Sequence, residues 1–282
     1  MSCIAYNLFK RKELVNYTHA WHWQKALREF LHQNSSENII NSNDEIQTHK
    51  KSDHIQTSQP HRLILLEHPS IYTLGRGSTT DNIINKSNNT DTVRVERGGE
   101  VTWHGPGQLV VYPILDLRQL PLKKDLRWLV SSLEEVVIQT LANTYNIKGG
   151  RVDINSGVWV DNNKICAVGI TASRWITMHG LALNINPNMS NYGHIIPCGI
   201  SDPNYGVTSI DRVLRNRGDE EISWNTADNG YSLLVENFLK SFSEIFELEV
   251  VQSASPVEEL DIVLDVTGDK FRAEEPKTVN LI

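Results

Sequence analysis

The chain has 282 residues, with 34 Asp and Glu against 27 Lys and Arg, for a formal net charge of −7. That length is enough to bury a substantial core, and the acidic balance argues against nucleic-acid binding, which requires a basic excess or stripe. Three cysteines at unrelated spacings make no disulfide framework and fit free thiols in a reducing compartment, while apolar runs such as Leu63-Ile64-Leu65-Leu66 are far too short to cross a bilayer.

Met1-Ser2-Cys3-Ile4-Ala5 carries neither an apolar signal core nor an Arg- and Ser-rich presequence, so a cytoplasmic protein is expected. Ala20, Trp23, Leu27 and Leu31 recur at helical spacing after the capping residues Asn16 and Thr18, which predicts an amphipathic helix over 16–32. Residues 33–60 are rich in Asn, Ser, Gln and charge, too polar to offset the entropy of ordering, and read as a disordered insertion. Residues 62–67 read as a buried strand, 81–91 as a polar loop and 108–114 as a second strand.

Asp125 caps a predicted helix running to about 145, with Leu126, Leu129, Val130, Leu133, Val136, Val137 and Leu141 on its apolar face. Residues 157–160 and 164–170 flank Asp161-Asn162-Asn163 and read as a β-hairpin, and 181–185 as a further strand. Leu234, Phe238, Phe242 and Ile245 mark a helix over 231–246, and 260–266 is expected to pair as a short strand within an acidic tail. Helices and strands thus alternate without regular β-α-β punctuation. The fold class expected is α/β with a mixed, largely antiparallel sheet and flanking helices.

Cys198, in Ile196-Pro197-Cys198-Gly199, sits in a sequence that favours a tight turn with the sulfur at its tip. A free thiol is only slightly ionised near neutral pH, so a nucleophilic role needs a neighbouring cation or base. Lys164, in Asn163-Lys164-Ile165-Cys166-Ala167-Val168-Gly169, can supply one, as ammonium stabilising the thiolate or as amine taking a proton. Taken alone, Cys198 reads as a small buried hydrophobe and Lys164 as a solvated edge residue. Strand alternation sets Lys164, Cys166 and Val168 on one face and Ile165, Ala167 and Gly169 on the other, bringing Cys166 towards the pocket.

A third segment, Arg97-Gly98-Gly99-Glu100-Val101-Thr102-Trp103-His104, has too many glycines for a helix and brings main chain close to a ligand. His104 there serves either to orient a reacting carbonyl or water, or only to stabilise the loop, and Arg97 reads equally well as half of an ion pair. A metal site built from Cys166, His179, His194 and Cys198 lacks the paired spacings of a zinc motif, and none is expected.

Together with Glu67-His68-Pro69-Ser70 and Met178-His179-Gly180-Leu181-Ala182, these segments resemble the lipoyl(octanoyl) transferase family over about residues 62–210. The resemblance implies a biotin/lipoate protein ligase-like fold for a catalytic domain over 1–250, leaving 251–282 as a C-terminal segment that is partly tail. It implies octanoyl transfer from octanoyl-acyl carrier protein to a lysine of lipoyl domains in 2-oxoacid dehydrogenases and the glycine cleavage H protein, without cofactor or metal. Cys198 then forms the acyl thioester and Lys164 activates it. The family's substrate contacts fall on Arg97, Gly98, Gly99, Glu100, Val101, Thr102, Trp103, His104, Ala167, Val168, Gly169, Gly180, Leu181 and Ala182. Two other readings share these features: an ATP-dependent lipoate or biotin ligase of the same fold, which needs no cysteine, and a non-catalytic acyl or carrier-protein binding module.

Overall fold

The computed structural model describes residues 1–9, 13–34, 59–85, 90–219, 224, 229–267 and 271–279, so most of the expected insertion over 33–60 lies outside the described residues. The chain opens with β1 (Ser2–Asn7) and α1 (Tyr17–Gln33). Asn16 starts that helix by accepting from the N–H of Thr18 at 2.9 Å and of His19 at 3.4 Å. Then follow β2 (His61–Leu66), β3 (Ile71–Leu74), β4 (Thr92–Arg94), β5 (Val101–His104) and β6 (Gln108–Ile114).

Helix α2 (Leu126–Tyr145) begins on the Asp125 carboxylate, which accepts from Arg127 N–H at 2.8 Å, and it ends on Asn146 in the left-handed region at φ 51°. After it come β7 (Gly157–Val160), β8 (Asn163–Ser173), β9 (Ile176–Asn184), β10 (Gly206–Val207), α3 (Ile210–Arg217), α4 (Asn229–Phe246), β11 (Glu249–Gln252), α5 (Pro256–Thr267) and β12 (Lys277–Thr278).

The larger sheet has the order β10-β8-β9-β6-β2-β1-β11, with β7 also paired to β8. Its centre is antiparallel, β2 with β6, β6 with β9 and β9 with β8, while β1 runs parallel to both its neighbours. Every residue of β2 and of β6 is buried, because helices cover both faces. Leu63, Leu65, Leu109, Val111 and Leu183 point one way, to the core under α2 and α4. Ile64, Leu66, Val110, Tyr112 and Ala182 point the other way, towards α1 and α5. A smaller sheet, β12-β4-β3-β5, has its own cluster around Tyr72, Leu74, Val101, Trp103 and Tyr192.

Three expectations change. The strand expected over 260–266 is helix α5, opened by Pro256 and burying Leu260 and Leu264, which are four residues apart and so lie on one helical face. The strand expected over 181–185 begins at Ile176, since β8 and β9 form one long hairpin through Arg174 and Trp175. Both turn residues have positive φ, 46° and 67°, a conformation that Arg and Trp seldom signal in a sequence.

The third change concerns β8. Val158 pairs with Cys166 but Trp159 pairs with Lys164, so Ile165 is an extra residue and the strand carries a bulge. The bulge reverses the alternation that follows it. Cys166 therefore joins the core beneath α2, fully buried, rather than the face carrying Lys164.

Candidate active site

A cavity of about 280 Å³ lies between the α1 face of the larger sheet and the loop that leads into β5. Its floor is the paired strands β8 and β9, where Ala167 faces Ala182 and Gly169 faces Gly180. Ala167, Gly169 and Ala182 leave a trough that larger side chains would fill, while at Gly180 a Cβ would lie 2.0 Å from Val111 O of the adjacent strand. The Arg97-Gly98-Gly99 loop forms the roof: a Cβ on Gly169 would lie 3.1 Å from Gly98 O, and one on Gly75 would lie 2.1 Å from Gly99 O.

Arg97 builds that roof from inside. Its guanidinium is buried and donates to Gly98 O and Glu100 O at 3.0 Å each, to Thr73 O at 2.7 Å and to Thr73 Oγ1 at 2.8 Å. These acceptors are neutral, so among the described residues the side chain is a loop scaffold and not half of an ion pair. Burial lowers its pKa, offset by Tyr17 and by Cys198, which lies within its electrostatic reach. Arg97, Lys164 and Cys198 all line the same cavity.

His104 is held neutral: burial pushes its pKa down to about 3. Gln108 is oriented by donating Nε2–H to Asn184 Oδ1 at 2.9 Å, so its Oε1 accepts from His104 Nδ1–H at 2.8 Å. His104 Nε2 then accepts from Thr73 Oγ1 at 3.3 Å, which leaves neither ring nitrogen unengaged. The bonds continue through Asn184 Nδ2–H to Thr208 O at 3.0 Å and Thr208 N–H to Lys164 O at 2.9 Å. A buried polar chain therefore ties the roof to the lysine-bearing strand.

Lys164 is 3 % exposed and its ammonium lies 5.0 Å from the centre of the Trp159 ring. It donates to Asn155 Oδ1 and, at 2.9 Å, to Ser156 O. Cys198 occupies the middle of a short turn with φ 55° and ψ 22°, an uncommon conformation for a residue with a side chain, and is partly exposed at the same cavity. Asn155 Nδ2–H donates to Cys198 O at 3.0 Å. The other thiols are inert by burial, which pushes Cys3 up to about 12 and raises Cys166 further.

Of the residues expected from the sequence, Cys198, Lys164, Arg97, Gly98, Gly99, Glu100, Thr102, His104, Ala167, Val168, Gly169, Gly180, Leu181 and Ala182 line this cavity. Val101 and Trp103 do not. The two-residue period of β5 sends Thr102 and His104 inward and turns Val101 and Trp103 into the cluster under the smaller sheet. The sequence reading also missed Tyr17, Val110, Tyr112, Val130, Asn155, Ser156, Ile170 and His179, which complete the lining. Tyr17 and Val130 sit on helices read only for packing, and Asn155 in a polar loop without a motif. Among the described residues, no three His, Cys, Asp or Glu side chains converge as metal ligands, and no helix is long and apolar enough to cross a membrane.

The catalytic-domain model of lipoyl protein ligases A and B matches residues 16–227. An Arabidopsis thaliana chloroplastic octanoyltransferase is 40% identical over 253 residues, 88% of this chain and 80% of that protein. An octanoyltransferase of Nostoc punctiforme is 38% identical over 255 residues, 89% of this chain and 91% of its own. Among solved structures, lipoate-protein ligase A bound with ATP superposes with a TM-score of 0.63 at 12% identity, covering 100% of this chain and 99% of that one. The bi-partite lipoate protein ligase of Thermoplasma acidophilum, solved with its E2 lipoyl domain, gives 0.57 at 14% identity, covering 100% and 96%. Those two likenesses establish the biotin/lipoate protein ligase-like fold.

Proposed function

This chain belongs to the lipoyl protein ligase A/B catalytic-domain family and is an acyltransferase of the octanoyltransferase kind, and from that premise we propose that it moves an octanoyl group from octanoyl-acyl carrier protein to a lysine of a lipoyl domain through a thioester on Cys198. The observation that carries this reading is Cys198 itself, held at a turn on the cavity that also holds the buried Lys164. A ligase of the same fold activates its acid with ATP and needs no sulfur at that point.

In the first half-reaction the Cys198 thiolate attacks the thioester carbonyl, and the carrier's thiolate leaves and takes up the proton of the Lys164 ammonium, which becomes the neutral amine. Charge develops on the carbonyl oxygen. The N–H groups of Gly98 and Gly199 already donate to Ile170 O and Ile196 O. Those of Gly99 and Cys198, which have no acceptor among the described residues, are the donors left for the oxyanion. In the second half-reaction the acceptor's ε-amine attacks the Cys198 thioester, its proton passes to neutral Lys164, and the amide forms as the thiolate returns.

The trough of Ala167, Gly169 and Ala182 suits an unbranched apolar chain, which needs width and few polar partners. Lipoyl domains of 2-oxoacid dehydrogenases and of the glycine cleavage H protein are the acceptors, and free thiols fit a reducing compartment such as the cytoplasm. Octanoyl transfer to a lipoyl domain, assayed with ATP omitted, decides between this reading and the ligase. Transfer from the carrier-bound donor at full rate without ATP is the expected result; a requirement for ATP and free octanoate assigns ligase chemistry instead.

A further inference from the structure

We propose that Asn155 is the positioning residue that aims the exchangeable proton of Lys164 into the cavity and couples the lysine to the Cys198 turn. The inference rests on the reading of Lys164 and Cys198 as the reacting pair. Asn155 touches both: its Oδ1 accepts from Lys164 Nζ and its Nδ2 donates to Cys198 O at 3.0 Å. The orientation of the amide follows from chemistry alone. An ammonium only donates and a carbonyl only accepts, so the reversed amide would set donor against donor and acceptor against acceptor. Asparagine satisfies both neighbours at once; aspartate can satisfy only the lysine.

Lys164 carries three N–H donors as ammonium and two as amine. Asn155 Oδ1 and Ser156 O take two of them in either state. The third position carries the proton when the lysine is charged and the lone pair when it is neutral, and the two fixed acceptors decide where it points. Lys164 lines the cavity, so that position serves the amine that attacks the Cys198 thioester. The proton leaves the attacking nitrogen, enters the Lys164 lone pair, and the carbon–sulfur bond breaks to regenerate the thiolate. The second bond of Asn155 keeps the strained Cys198 turn, at φ 55°, in register with that proton acceptor.

Asn155→Ala removes both contacts, and Asn155→Asp keeps the size and the lysine's acceptor while adding a charge beside it. With saturating donor and acceptor, Asn155→Ala is expected to lower kcat on the order of 10²-fold, since misplacement of a reacting group costs about that much. KM for the carrier-bound donor should stay within about threefold, because the acyl trough is untouched. In Asn155→Asp the new carboxylate favours the charged lysine, so the pH–rate profile of transfer should move upward by about one unit or more. A loop that merely folds would not shift that profile. An Asn155→Ala enzyme that keeps kcat within threefold, or an Asn155→Asp profile that superimposes on the wild type, overturns the proposal. Should the alanine protein fail to fold, the near-isosteric aspartate carries the test. Acyl loading of wild-type Cys198 is read in the same series: a wild type that never loads overturns both readings, whereas one that loads while the variants behave like it overturns this inference alone.

Discussion

On the proposed mechanism Lys164 serves two protonation states within one cycle, and its surroundings suit both: acceptors for two N–H groups, the Trp159 ring face nearby and a buried side chain. In the proposed mechanism its ammonium favours the Cys198 thiolate, so Lys164→Ala should slow alkylation of Cys198 at neutral pH. Lys164→Arg keeps a charge that cannot readily be given up, so alkylation should largely persist while aminolysis by the acceptor lysine fails. Alkylation is cleanly read without further substitutions because burial raises the pKa of both Cys3 and Cys166. Variants that both alkylate like wild type across pH 6 to 9 would separate Lys164 from the cysteine. At this scale the motifs around Cys198, Lys164 and Arg97 marked residues that the fold does bring to one cavity. The sequence was silent at Asn155, because the hydrogen bonds of that residue go to two partners 9 and 43 positions away in the chain.

The β8–β9 hairpin is the element on which the site depends. Its register pairs Ala167 with Ala182 and Gly169 with Gly180, and the bulge at Ile165 lets Lys164 and Ala167 share the cavity side. Period-two reading of Lys164 to Gly169 predicts the opposite set, since nothing in Lys164-Ile165-Cys166 marks an extra residue. Gly157, opposite Ala167 in the pairing with φ 134°, is the one local sign of irregularity. Helices α1, α2 and α4 were legible from their apolar period; α5 was not, because its apolar residues do not keep to one face: Leu260 and Leu264 are buried while Ile262 and Val266 are exposed. The small residues carry a specificity prediction. Ala182→Leu should fill the trough and reduce kcat/KM for an octanoyl donor about 10-fold to 200-fold, the range that small misfits in apolar pockets command, while a butanoyl donor loses far less. Parallel loss for both chain lengths would show that the trough does not hold the acyl chain.

Across the whole molecule, helices on both faces of the larger sheet bury histidines along with the core. His61, His68 and His104 are driven down to about 4, about 4 and about 3, each chiefly by burial. They stay neutral in the folded protein at pH values where the unfolded chain, titrating near 6.5, binds protons. The unfolded state then binds more protons, so stability is complete above pH ~6.5 and is lost as pH falls towards 4, at up to about 1.4 kcal/mol per pH unit for each histidine. Carboxylates act lower: burial would raise Glu96, but the hydrogen bond and charge of His179 outweigh it and hold Glu96 at about 2. Urea midpoints should therefore drop between about pH 7 and pH 5, before any carboxylate contribution, and a flat midpoint over that interval would contradict the neutral, buried assignments. The two-sheet plan itself could not be read from the chain, because β3, β4 and β5 are short and β1 pairs in parallel with partners from distant parts of the sequence.

The claim on which the rest depends is covalent capture of the acyl group by Cys198. Intact mass of the protein, recorded after mixing with octanoyl-carrier protein in the absence of an acceptor, tests it most directly. A single added octanoyl group is expected, mapped to Cys198, released by hydroxylamine and absent from Cys198→Ser. Acyl transfer that proceeds with no adduct, or with the adduct on Cys166 or Cys3, would contradict it.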